Sequence, residues 1–147
     1  HGKPIVVGVK NEDARKVIKE VAALKEAPIY VLNETIHVRK AERGHFTYEG
    51  IGCIENIELA MIGAHQYENA TLAITACSLF LGQLQEEAVR KALKEAVWEG
   101  RFDKICEQVI LDGAHNSEGT EALIHTLKQT YPNAKYRFIK FPFSKIL

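Results

Sequence analysis

Val109-Ile110-Leu111-Asp112-Gly113-Ala114-His115-Asn116 joins three apolar, strand-forming residues to a short polar turn. Behind it, Leu123, Ile124, Leu127 and Tyr131 recur at helical spacing, which predicts a helix from Ser117 to about Thr130. A continuous apolar run reads as a buried parallel strand, so this strand–loop–helix junction predicts an α/β arrangement. In open α/β sheets, ligands gather at the carboxyl ends of the strands. A helix N-terminus there offers unpaired backbone N–H groups and a dipole that favours anions. Gly113 lets the chain turn tightly and approach a ligand. Asp112 is suited to accept hydrogen bonds from a ribose or to hold a cationic group, and His115 to pair with an anion or orient a substrate. The plainer reading is that Asp112 and Asn116 cap the loop and the helix and that His115 is exposed. Spacing alone leaves both open.

Outward from this junction, Pro132-Asn133 ends the helix and Tyr136–Ile139 is expected to add a strand, making a second β-α-β unit. So small a parallel unit needs neighbours at both edges. The sequence therefore predicts a chain cut short, or one that completes its sheet against another copy as a homodimer. Upstream, Trp98-Glu99-Gly100-Arg101-Phe102 breaks the helical pattern, and a domain boundary is expected there, dividing residues 1–99 from 100–147. Arg101 is planar and always charged, able to stack on a base or fork onto phosphate, or simply to sit on the surface beside a core tryptophan.

Two helices precede this break: Glu86–Val97, amphipathic, and Gln66–Phe80, apolar almost all round and expected to be buried between layers. Asn69 is expected in the first turn of the latter, where its amide can read a base edge or satisfy local backbone. From Thr35 to Met61, scattered apolar residues and glycines fit short antiparallel strands. At the start, a strand (Pro4–Val9), a helix capped by Asn11, and a strand (Ile29–Leu32) make a β-α-β unit.

Composition removes several function classes. Nineteen basic residues balance nineteen acidic ones, which speaks against a nucleic-acid partner or a charged membrane surface. The longest apolar stretch, Ala70–Leu81, is too short to span a bilayer, and no export signal is visible, so a cytoplasmic protein is expected. Cys53, Cys77 and Cys106 form neither a disulfide framework nor a metal-ligand pattern, and are expected to be buried, reduced thiols. His65 and the other histidines have no metal-ligand spacing.

Taken in order, Gly63-x-His65-Gln66-x-x-Asn69, Trp98-x-Gly100-Arg101-Phe102 and Val109-Ile110-Leu111-Asp112-Gly113-Ala114-His115-Asn116 form a specific series. The series resembles folylpolyglutamate synthase, also called dihydrofolate synthase, of the Mur ligase superfamily. The likeness runs from Gly2 to Ile139, and Gly2–Gly8 looks like the family's late central-domain strand. It implies parallel β-α-β units with a small antiparallel segment, belonging to two incomplete Mur ligase-type domains. It also implies a reaction. ATP, with Mg2+, phosphorylates the carboxylate of a folate or dihydropteroate, and the amine of L-glutamate attacks the acyl phosphate to form an amide.

By the same resemblance Asn69 contacts the nucleobase, Asp112 lies near the ribose, Arg101 contacts ATP from the hinge, and His115 lies on the amino-acid side. Glu99 and Ser117 stand where the family usually has proline. No Gly-x-x-x-x-Gly-Lys-Ser/Thr loop occurs in the sequence, the family's magnesium-binding residues lie upstream of this chain, and residues 140–147 do not look like the family's continuation. The resemblance thus implies a fragment inactive by itself; a non-catalytic, self-associating or nucleotide-binding remnant is the alternative.

Overall fold

The structure, a computed structural model, describes residues 1–42 and 44–139. β1 (Ile5–Val7) and β2 (Ile29–Val31) pair in parallel, with Ile5 opposite Ile29, and α1 (Glu12–Leu24) connects them. Asn11 caps α1, its side-chain oxygen accepting from Ala14 N at 2.9 Å, and Glu12 and Asp13 place negative charge at the helix's positive end. The first β-α-β unit is as the sequence predicts.

β3 (His37–Glu42), β4 (His45–Gly50) and β5 (Gly52–Glu58) form an antiparallel sheet in that order. Phe46, Tyr48, Ile54 and Ile57 point inward from it and meet Ala70 and Ile74 of α2 (Ala64–Leu81) and Val89 of α3 (Glu86–Glu95). Each large apolar side chain buried here contributes about 1.5–3 kcal/mol. The Tyr48 hydroxyl accepts from Ile51 N at 2.9 Å. It also lies 3.2 Å from Thr75 Oγ1, whose own proton goes to the Thr71 carbonyl, so Tyr48 donates in that contact. Every polar capacity of this buried phenol is thus used, which is what its complete burial demands.

Several expectations need correction. α2 is buried on one face only, through Gln66, Ala70, Thr71, Ile74, Thr75 and Ser78, whereas Phe80 is 88% exposed. An apolar composition all round does not produce a second covering layer. Because α2 starts at Ala64, Asn69 falls in its second turn and not its first. All three cysteines are exposed, Cys53 because strand alternation turns it away from buried Ile54.

The largest departure lies at the other end. β6 (Asp103–Cys106) and β7 (Val109–Leu111) pair antiparallel as a tight hairpin, Asp103 opposite Leu111, so β7 is neither buried nor part of a parallel unit among the described residues. α4 (Ser117–Thr130) follows as predicted, with Asn116 capping it by accepting from Gly119 N at 2.8 Å. Tyr136–Ile139 forms no strand. Instead the Tyr136 hydroxyl donates to the Leu127 carbonyl at 2.9 Å and to that of Tyr131, turning the segment back onto the end of α4. Residues 140–147 lie outside the described residues.

Candidate functional site

A helix with its first turn against a loop makes one wall of the site. Ile62 leads into α2, and His65, Gln66, Asn69, Ala70 and Ala73 recur at spacings of three and four, so the start of α2 presents them as one stripe. The opposite wall is the turn Trp98–Phe102, the loop after β7 and the inner face of α4. Between them lies a cleft of about 560 Å³, with Leu59, Met61, Leu93 and Leu123 supplying apolar surface. A concave, mostly apolar cleft with a few convergent polar groups is the usual form of a small-molecule site.

Asp112 organises the loop wall. Its Oδ2 accepts from Phe102 N and its Oδ1 from Ala114 N, both at 2.8 Å. Gly113 N donates to the Gly100 carbonyl at 2.8 Å, and Gly100 N to Asp103 Oδ2 at 3.0 Å. The carboxylate therefore clamps the 98–102 turn to the loop after β7. That turn needs left-handed backbone at Gly100 (φ 71°) and at Phe102 (φ 50°), the second a strained conformation held by the Asp112 contact. The capping role read for Asp112 is real. It still leaves carboxylate lone pairs free beside the cleft, because each oxygen can accept more than one hydrogen bond.

Arg101 is exposed on the cleft rim, and its guanidinium has no hydrogen bond or ion pair among the described residues. Trp98 stands beside it, 70% exposed for so large an apolar ring. A free guanidinium and an exposed indole on one cleft suit an anionic or planar ligand. Asn69 sits opposite, its Nδ2 donating to Gln66 Oε1 at 2.9 Å.

The structure thus brings Asn69, Arg101 and Asp112 to one cleft. His115 is not among the residues lining it: its ring is exposed and lies 3.0 Å from the Gly113 carbonyl through Nδ1.

Two further residues belong to the cleft, and sequence reading assigned neither a role. Gln66 is 6% exposed, and its three-residue spacing from Asn69 was the available signal. His65 is half-buried, and burial pushes its imidazole below the usual histidine range; the charges of Asp112 and Glu68 partly oppose this, and those of Lys10 and Arg101 add to it. Its ring lies so close to Gly63 (φ 122°) that a Cβ there would come within 2.7 Å of it, so this position requires glycine twice over. Among the described residues, no group of three or more His, Cys, Asp or Glu side chains gathers to hold a metal ion, and no helix is long and apolar enough to cross a membrane.

No family model matches the chain. Individual proteins do. The dihydrofolate synthase/folylpolyglutamate synthase of Bacillus subtilis (strain 168) is 34% identical over 145 residues, which is 91% of this chain and 34% of that enzyme. The crystal structure of folylpolyglutamate synthase from Thermotoga maritima superposes with a TM-score of 0.73 at 38% identity, covering 85% of this chain and 31% of that one. A folylpolyglutamate synthase in complex with AMPPCP and folate superposes with a TM-score of 0.81 at 29% identity, over 89% of this chain and 35% of that one. The chain spans about a third of the length of the relatives it matches. Nearly all of it aligns with these enzymes in both sequence and backbone, and on that agreement the chain belongs to the folylpolyglutamate synthase/dihydrofolate synthase family.

Proposed function

We propose that this chain forms the nucleoside side of the ATP site in a ligase that joins glutamate to a folate or dihydropteroate carboxylate. The observation that supports it is the convergence of Asn69, Arg101 and Asp112, from three separate stretches of sequence, on one cleft with an apolar floor. ATP, when bound, supplies the phosphoryl group that activates the carboxylate for attack by the glutamate amine.

The residues of this chain bind and position. Asn69 offers its amide to the base edge, Asp112 its remaining lone pairs to the ribose hydroxyls, and Arg101 its free guanidinium to the phosphates. Trp98 and the apolar lining exclude water from the base. His115, outside the cleft lining, is assigned to the amino-acid side, where an exposed imidazole can contact glutamate. Residues 1–99 and 100–147 act as parts of the central and C-terminal domains. The 98–102 turn is the hinge through which nucleotide binding draws them together, and the Asp112–Phe102 contact fixes its C-terminal end. The family's Mg2+ finds no fitting set of ligands among the described residues. With no Gly-x-x-x-x-Gly-Lys-Ser/Thr loop in the sequence to cradle the β- and γ-phosphates, turnover by these 147 residues alone is not expected. The setting of the whole enzyme is taken to be the cytoplasm.

Titration calorimetry with ATP, with and without Mg2+, tests this reading. Weak binding insensitive to Mg2+, lost in Asp112→Ala and weakened in Arg101→Ala, is expected. Absence of any ATP binding by the folded chain would sink it. A second reading, self-association, is favoured by the exposure of Ile105 (60%), Val109 (50%) and Leu111 (45%) on the β6–β7 hairpin. Sedimentation of the chain as a strict monomer at high concentration would remove it.

A further inference from the structure

His65 stands in the first turn of α2 and lines the cleft, and its ring has no hydrogen bond or ion pair among the described residues. Its place is nonetheless set by its surroundings. Gly63 leaves the room the ring occupies, since a Cβ there would fall 2.7 Å from His65 Cε1 and 2.9 Å from Nδ1. A half-buried imidazole whose nitrogens have no protein partner keeps them for whatever enters the cleft. Four charges act on this ring: Asp112 after β7, Glu68 on α2 itself, Lys10 between β1 and α1, and Arg101 in the 98–102 turn. From α4 the neighbouring group is the uncharged Thr126 hydroxyl, which donates to the Ala122 carbonyl at 2.8 Å. The four charges balance in sign, and Lys10 is paired with Glu68 at 2.8 Å. Burial therefore decides the outcome and keeps the ring neutral at pH 7. Asp112, proposed at the ribose, and Arg101, proposed at the phosphates, both act on His65, so the ring stands where the ribose of a bound nucleotide meets its first phosphate.

We propose that His65 is a further ligand-binding residue of this cleft: it takes a proton from solvent as a nucleotide binds and pairs, as imidazolium, with the phosphate next to the ribose. The inference rests on the nucleotide reading of the cleft. An added anion favours the charged ring and offsets its burial. The cation then exists only while an anion is there to pair with it, and its charge-assisted hydrogen bond joins that of Arg101. Binding that takes up a proton tightens as pH falls, until the ring is protonated without the ligand as well.

The test is titration calorimetry of the full chain at pH 7 in two buffers of different ionisation enthalpy, which counts the protons taken up. ATP is expected to bind with uptake of a fraction of a proton, and adenosine, which has no phosphate, with none. His65→Gln keeps a neutral hydrogen-bonding side chain and should lose that uptake. Because ATP has a titrating phosphate of its own, the readout is the difference between the two proteins. From about pH 8 to about pH 6 the affinity of the unaltered chain for ATP should rise relative to that of the variant, by up to about ten-fold per unit. A merely structural His65 would, on replacement, lower ATP affinity equally at every pH and leave the proton count alone. ATP binding with the same proton count in both proteins overturns the inference and leaves the nucleotide reading standing. If ATP does not bind at all, the nucleotide reading falls and takes this inference with it. Should His65→Gln not fold, NMR titration of the His65 ring in the unaltered chain decides: its midpoint rises on adding ATP but not adenosine, or the inference fails.

Discussion

The sheet β3–β4–β5 with α2 and the hairpin β6–β7 with α4 are both small sheets beside a helix, yet they are held in different ways. In the first, Phe46, Tyr48, Ile57 and Ile36 are at most 1% exposed, and the sheet has an apolar interior. In the second, Phe102, Thr126 and Leu127 are the buried side chains, and Ile105, Val109 and Leu111 face outward. What orders the second region is a set of hydrogen bonds centred on Asp112. The difference teaches where function can sit. A packed interior resists the rearrangement that ligand binding requires, while a loop clamped by a few polar contacts can be remade at modest cost.

The contrast is broken most severely in the packed region. Tyr48→Ala is expected to cost about 3–5 kcal/mol, measured by urea denaturation, because it leaves a cavity and strips a polar partner from buried Thr75 and from the Ile51 amide. A loss under about 1 kcal/mol would mean that the sheet is not the stable body of the chain.

Asp112→Ala should cost less, about 1–3 kcal/mol, by leaving the Phe102 and Ala114 amides without their acceptor. Hydrogen exchange sharpens the comparison: those two amides should exchange faster while those around Tyr48 keep their protection.

Smaller still, Arg101→Ala and Leu111→Ala should each change stability by no more than about 0.5 kcal/mol, since neither side chain is enclosed. Arg101→Ala should nonetheless lower ATP affinity about ten-fold, the value of a lost charge-assisted contact. A variant that lost stability but kept affinity would invert the assignment of this region.

The faintest signal is a pH dependence. The His65 pKa is lowered on folding from its ordinary 6.5, mainly by burial, so the folded chain favours the neutral ring. That contribution is present in full above 6.5 and is lost as pH falls through the folded-state value, so stability should decline below about pH 6.5. His65→Gln should flatten the decline, as read by thermal melts from pH 7.5 to pH 5; an unchanged slope would assign it to other groups.

Much of this was legible in the residues themselves. The Asn11 cap, the parallel pairing around α1 and the three antiparallel strands follow from local pattern, because capping, helical period and strand alternation are all short-range. The candidate site was legible in part. Asn69, Arg101 and Asp112 took their roles from the family resemblance, whereas His65 and Gln66 stood in the same motif series without one, since a glutamine or histidine on a helix looks the same in sequence whether it faces water or a cleft. The β7 run failed as a guide for a related reason. Three apolar residues in a row carry no information about which strand will pair with them, and here the nearby β6 closes an antiparallel hairpin.

By itself, then, the sequence determined the helices and all of the strands but the one expected at Tyr136–Ile139, where Asn11 and Asn116 cap helices, and that Asn69, Arg101 and Asp112 stand in one family-like motif series. Only the tertiary structure decided that the start of α2 faces the Asp112 loop across one cleft and that α2 is covered on a single side. Those outcomes depend on contacts between residues far apart in the chain, whose geometry is set by how layers of different burial pack, and no local spacing encodes it.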